Sequence, residues 1–165
     1  MNKPLLTVCS LFAAILAVCS DHPAVHVEPT DSVGPRALEK RTEAAVIRDY
    51  LQAWRSLSGA FEKNRADLLD PDFTGTAKEK LTTTIKEQLK LGIRTRYLDG
   101  AHDLQLVFYS PEGLSIQLID TVEYDMQILD HKTVVTTQHV RERYVVVLTP
   151  TEVRWKVRVF QGQPG

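Results

Sequence analysis

Two carboxylates interrupt the apolar faces of what read as β-strands in the second half of the chain: Asp120, within residues 114–125, and Glu142, within residues 139–148. Tyr124 and Tyr144 lie further along the same two faces. A carboxylate taken out of water has its pKa raised, so it can accept and return a proton near neutral pH. A tyrosine hydroxyl beside it can donate a hydrogen bond to a developing enolate. The chemistry such a set would suit is proton transfer on an enolisable ketone or lactone. The competing reading places Asp120 and Glu142 at strand ends or bulges, reaching solvent or an arginine, since charged residues on an apolar strand face are more often rim positions than catalysts. These four residues are therefore candidates only, and binding is favoured over catalysis.

A second constellation is basic. Arg141, Arg143, Arg154, Lys156 and Arg158 alternate on two strands that a hairpin would bring together, forming a patch that could meet an acidic partner, a phosphorylated headgroup or a second copy of the chain. Its bland counterpart is a solvated outer face with charges paired to Glu123, Asp125 or Glu152. Overall the chain is nearly balanced, with 20 basic and 21 acidic residues, and no aromatic interleaving accompanies the stripe apart from Phe160, so nucleic acid is not an expected partner. His131 and His139 have no serine or cysteine at a telling spacing, which leaves nucleophilic triads unsupported. His22 and His26 stand four apart, a spacing that suits a metal on a helix, but Pro23 and Pro29 argue against one there. No metal or cofactor is expected. The chain's two cysteines are Cys9 and Cys19, both near the N-terminus, so the folded part has neither disulfides nor a cysteine nucleophile.

The elements that must position these groups follow from periodicity. Val46, Tyr50, Trp54 and Leu57 recur on a helical stripe, and the helix is expected to stop near Ser58-Gly59, with a short second helix over residues 61–69. Asp70-Pro71-Asp72 breaks it, because proline disfavours helical geometry in the residue before it. A third helix carries Ala77, Leu81, Ile85 and Leu89 at four-residue steps and stops at Gly92. After Arg96 the pattern alternates. Ser110-Pro111-Glu112-Gly113 has the residues of a type I turn, and closing it pairs Tyr109 with Leu114 and Val107 with Ile116. Leu114, Ile116, Leu118, Asp120, Val122 and Tyr124 then share one face. A turn is expected at Asp130-His131-Lys132, and another at Thr149-Pro150-Thr151-Glu152 that pairs Leu148 with Val153, Val146 with Trp155 and Tyr144 with Val157. Helices first and an antiparallel meander after is α+β, with the helices on one side of the sheet.

The first residues form an address. Lys3 precedes an apolar run over residues 5–18, shorter than the roughly 20 residues of a membrane-spanning helix. With Leu16-Ala17-Val18-Cys19 at its end, the segment resembles a bacterial lipoprotein signal, which implies cleavage after residue 18 and diacylglycerol on the Cys19 thiol. Val18 stands where that pattern usually has Gly, Ala or Ser, and ordinary signal cleavage near Cys19 or Ser20, giving a secreted protein, is the alternative. Residues 19–36 hold three prolines and no strand or helical period, so they are expected to be a flexible tether. One domain over residues 37–161 follows.

That domain resembles the nuclear transport factor two-like superfamily: an amphipathic first helix with Tyr50 and Trp54, a second helical pair, and a sheet whose last strand reads Arg154-Trp155-Lys156-Val157-Arg158-Val159. The cystatin fold is the rival. The resemblance implies a cone of helices and curved antiparallel sheet around a pocket lined by Tyr50, Trp54, Tyr124, Tyr144 and Trp155. Enzyme members, similar to ketosteroid isomerase and polyketide cyclases, use an Asp or Glu inside the cone; ketosteroid isomerase is a standard illustration of such carboxylate tuning. Binding members use the cone or the sheet for a small apolar ligand or a protein partner. Homodimers through the sheet also occur. The expectation is an envelope-tethered, non-catalytic binding or scaffold domain, with a small proton-transfer enzyme and an accessory subunit of an envelope or secretion assembly as alternatives.

Overall fold

The computed structural model describes residues 24–29 and 34–163. The leader over residues 1–18, Cys19 and His22 lie outside the described residues. Helix α1 (Lys40–Lys63) buries Val46, Tyr50, Ala53, Trp54, Leu57, Ala60 and Phe61, which recur at three- and four-residue steps and so form one stripe. The stripe continues past Gly59, and the helix with it, beyond the stop expected at Ser58-Gly59. Burial of Ala60 and Phe61 outweighs the roughly 1 kcal/mol that a helical glycine costs. Asn64, left-handed at φ 53°, ends the helix by donating its N–H to the Ala60 carbonyl.

The short helix expected over residues 61–69 is reduced to a single 3-10 turn, Ala66–Leu69. Helix α2 (Gly75–Lys90) stops, as expected, at Gly92, whose φ of 72° suits a residue without a Cβ. Each four-residue step overshoots a full helical turn by about 40°, so the end of its apolar row drifts off the buried face. Leu89 is consequently exposed, and Gln88 is buried beside it, donating to the Phe61 carbonyl at 2.7 Å and accepting from Thr95 Oγ1 at 2.9 Å.

Among the described residues the sheet has six strands: β1 (Ala24–Val27), β2 (Gly34–Pro35), β3 (Ile93–Tyr109), β4 (Ile116–Asp130), β5 (Thr133–Pro150) and β6 (Trp155–Gln163), in the order β1-β3-β4-β5-β6 with β2 also on β3. Strands β3 to β6 are the antiparallel meander that alternation implied. Two pieces of the stretch read as a tether are instead ordered, because β1 and β2 run parallel along the outer edge of β3. Residues 24–27, Ala-Val-His-Val, lie between Pro23 and Pro29; Val25 and Val27 are good strand formers, and β3 offers the segment an edge that needs hydrogen-bonding partners. Both helices pack against β3 and β6, which makes the domain α+β with its helices on one side of a mixed sheet. Bulges between Leu98 and Ala101, Leu106 and Phe108, Ile128 and Leu129, and Val147 and Leu148 bend and twist the layer. No helix among the described residues is long and apolar enough to cross a membrane.

Two registers differ from those expected. The Ser110–Gly113 turn closes, with Gly113 N–H on the Ser110 carbonyl at 2.9 Å, but Ser110 Oγ also accepts from the N–H groups of Leu114 and Ser115. Those two residues stay in the loop, so Tyr109 pairs with Ile116, Leu114 is exposed, and Val107 falls on a bulge. In the last hairpin Thr151 closes onto Arg154, so Leu148 pairs with Val157 rather than Val153, Val146 with Phe160, and Tyr144 with Gly162. The third turn, at His131-Lys132, lies where the sequence puts it, between Asp130 and Thr133.

Candidate functional site

Strand β4 points Ile116, Leu118, Asp120, Val122 and Tyr124 inward in strict alternation. Asp120 is thereby fully buried under α1, and its surroundings explain how a carboxylate survives there. Its Oδ2 accepts from Tyr50 Oη at 2.6 Å and from Trp54 Nε1 at 3.2 Å, and meets His102 Nδ1 at 2.9 Å. Trp54 Nε1 also donates to Tyr50 Oη at 2.8 Å. Tyr50 and Trp54 stand four apart on α1, so one helix face delivers both donors. Asp120 Oδ1 is buried with no hydrogen-bonding partner among the described residues.

His102 is the candidate site residue that sequence reasoning passed over. Its signal was present, because it alternates with Leu104 and Leu106 and so belongs to the apolar face of β3. What the sequence lacked was the register: Leu104 pairs with Asp120 and His102 with Val122, which sets His102 diagonally across from Asp120. With Nδ1 against an oxygen that acts as acceptor to two other groups, Nδ1 stands in a donor's place, and in a neutral ring Nε2 is then the acceptor. That nitrogen lies 3.7 Å from where a Cβ on Gly100 would stand.

Gly100 and His102 both line a half-open cavity of about 180 Å³, together with Leu51, Trp54, Arg55, Ser58, Tyr97, Val122 and Tyr124. Trp54 is the hub of its walls, with ring centroids at 5.2 Å to His102, 6.0 Å to Tyr124 and 6.4 Å to Tyr97. Burial pushes the phenol of Tyr50 well above its ordinary pKa, and the Asp120 charge adds to it. Burial likewise raises Tyr97, Tyr124 and Tyr144. All four tyrosines therefore stay protonated donors through the neutral range.

The expected pocket residues divide. Trp54 and Tyr124 line the cavity. Tyr50 lies behind it, fully buried on Asp120. Tyr144 stacks on Phe160 at 4.4 Å with its hydroxyl 3.4 Å from that of Tyr124, and Glu142 is half-buried nearby, its charge adding to the upward push on both phenols. Trp155 is elsewhere: its backbone N–H donates to Asp49 on α1 and its ring meets Tyr109. The register shift of the last hairpin carried it away from Val146.

That shift also breaks the basic stripe. Arg154 Nη1 donates to the buried Asp72 at 2.7 Å, and Lys156 Nζ to the Asp70 carbonyl at 2.9 Å. Arg158 falls on the bulge beside Gly75, and Arg141 pairs with Glu123 at 3.3 Å. Arg143 faces Gln163 across the hairpin rather than a residue of the stripe. His139 meets Asp125, and His26 is exposed on β1 opposite Asp103.

The fold so described is a pair of helices on one face of a curved, mostly antiparallel sheet with a polar cluster sealed between them. No protein-family model matches the chain, and no curated protein matches it in sequence. Among solved structures it is similar to the intermembrane space region of the chloroplast protein ARC6, with a TM-score of 0.60 at 18% identity, over 79% of this chain and 100% of that one. At that identity the likeness is one of fold.

Proposed function

We propose that this chain is an exported, membrane-tethered binding domain of nuclear transport factor two-like type, which takes a small, flat, mostly apolar ligand carrying one polar atom. One observation carries the reading: Asp120 holds one nitrogen of His102 while the ring borders a cavity otherwise walled largely by apolar and aromatic side chains. Recognition sites combine such linings with a few placed polar groups. An apolar cavity of about 150 Å³ takes benzene, so the 180 Å³ beside Trp54 suits a single substituted ring. The edges and faces of Trp54, Tyr97 and Tyr124 favour an aromatic guest. For the tether, the support is Lys3, the apolar run after it and Cys19; a structural neighbour from an intermembrane space is in keeping with an envelope-side domain.

Phenol and toluene are suitable probes. Phenol should bind by calorimetry and raise the melting temperature more than toluene does, and Leu51→Trp, at the cavity wall, should block both. A folded wild type that responds to neither probe ends the ligand reading. Mass spectrometry of the full chain purified from membranes reads the tether: an acylated Cys19 supports it, and an unmodified mature N-terminus replaces it with a secreted protein.

A proton-transfer enzyme is the second reading, and the Asp120–His102 contact favours it. Because Asp120 is sealed behind Tyr50 and Trp54, it would orient the His102 ring, which would exchange the proton. Enolisable ketones and lactones test it, and equal turnover by the wild type and Asp120→Asn rejects it.

A further inference from the structure

The outer edge of β5 is only half used. Strand β6 accompanies it from Pro150 to Arg143, while β4 accompanies it on the other side from Leu148 down to Thr133. Residues 133–142 thus have a strand on one side and none on the other among the described residues. Along such an edge, alternate backbone N–H and C=O groups point outward and accept any strand that offers complementary groups. Edges are commonly blunted by proline, bulges or inward charges. This one has no proline or glycine over residues 133–142, its single bulge, at Val135, leaves residues 136–142 in regular register, and its inward charge, Glu142, stands at the end next to β6 and leaves residues 136–141 clear.

Its two faces differ in chemistry. On the outer face His139, Arg141 and Arg143 alternate at the edge, and the carboxylates that meet His139 and Arg141, Asp125 and Glu123, stand one strand further in on β4. Arg143 is exposed and has no carboxylate within salt-bridge distance among the described residues. On the inner face Val140 packs partly against the core, opposite Tyr124. Glu142 follows it there and would repel an acidic side chain on that face. Pairing with a second copy about an axis normal to the sheet would set two rows of His139, Arg141 and Arg143 side by side on one face, which disfavours self-association.

We infer that residues 136–142 capture an extended acidic protein segment as an added strand, with carboxylates at alternate positions against His139, Arg141 and Arg143 and an apolar residue between them against Val140. The added strand would extend the sheet at the place where β6 stops, with main-chain bonds supplying affinity and the alternating charges fixing which face turns outward.

A short peptide of alternating glutamate and valine is the probe, measured by fluorescence anisotropy on the full chain. The wild type should bind it more weakly as salt rises, and amide exchange should slow at residues 136–142. Arg141→Glu with Arg143→Glu, both exposed substitutions that leave the core intact, should weaken binding by about tenfold or more. Methylating alternate peptide nitrogens should abolish it. Equal binding of a lysine–valine peptide, retained binding of the methylated peptide, or no binding by the folded wild type would each overturn the inference. A concentration-dependent dimer that protects the same amides would overturn it in favour of a second copy.

Discussion

Replacing Asp120 with alanine tests the center of the structure. The substitution strips Tyr50 Oη and His102 Nδ1 of their acceptor, while Trp54 Nε1 keeps Tyr50 Oη at 2.8 Å. A buried donor left unpaired costs about 1–3 kcal/mol. Two such losses are partly offset by removing Oδ1, a buried oxygen with no partner of its own among the described residues, so the net destabilisation should be about 2–4 kcal/mol. Against the 5–15 kcal/mol typical of a folded domain, that is a large share. Urea unfolding followed by circular dichroism should show a lower midpoint at unchanged slope. Tyr50→Phe should cost about 1 kcal/mol alone. Combined with Asp120→Ala it should cost less than the sum, because the hydroxyl it removes no longer has a partner to lose. A loss below about 1 kcal/mol for Asp120→Ala, or strict additivity with Tyr50→Phe, would refute the cluster and return Asp120 to a solvated rim.

The raised tyrosines make a pH prediction whose sign is fixed: the folded state holds its phenolic protons above the unfolded value near 10, so that stability is complete below about pH 10 and is lost as pH climbs toward the folded values. The phenolate absorbance of Tyr50, Tyr97 and Tyr144 should appear together with loss of the circular dichroism signal; smooth ionisation with the fold intact would refute their burial. Among the basic residues, Arg154→Ala should destabilise by about 1–3 kcal/mol because it takes the cation from the buried Asp72 and leaves its Oδ1 unpaired, with Ser56 still donating to Oδ2, while Arg143→Ala should change stability by less than about 0.5 kcal/mol. Equal effects in thermal melts would restore the free patch that the sequence suggested.

Helix α2 with its stop at Gly92, the switch to alternation, the Ser110–Gly113 turn and the inward face of β4 were all legible, since each depends on neighbours a few residues apart. The longer reach of α1 was legible too, in Ala60 and Phe61, but Gly59 drew the boundary too early. Asp120 could be picked out as an anomaly on its face. Its partners could not, because Tyr50 is 70 positions away and His102 is 18, and nothing local says that they meet.

Sheet periodicity explains the line between the two kinds of knowledge. Side chains alternate faces along each strand, so Asp120, Tyr124, Tyr144 and Val146 kept their inward face through their own strands' alternation, although the hairpin registers were displaced by two and by four next to the turns and by one and by five beyond the bulges at Val107 and Arg158. On β4 and β5, which way a residue faces was therefore determined by the sequence alone; on β6 the bulge at Arg158 turned Phe160 inward, onto Tyr144. Which residue stands across from it was decided by turn hydrogen bonds at Ser110 and Thr151 and by bulges that only the assembled sheet selects. That is why the inward carboxylate kept its place while Trp155 and the basic stripe lost theirs.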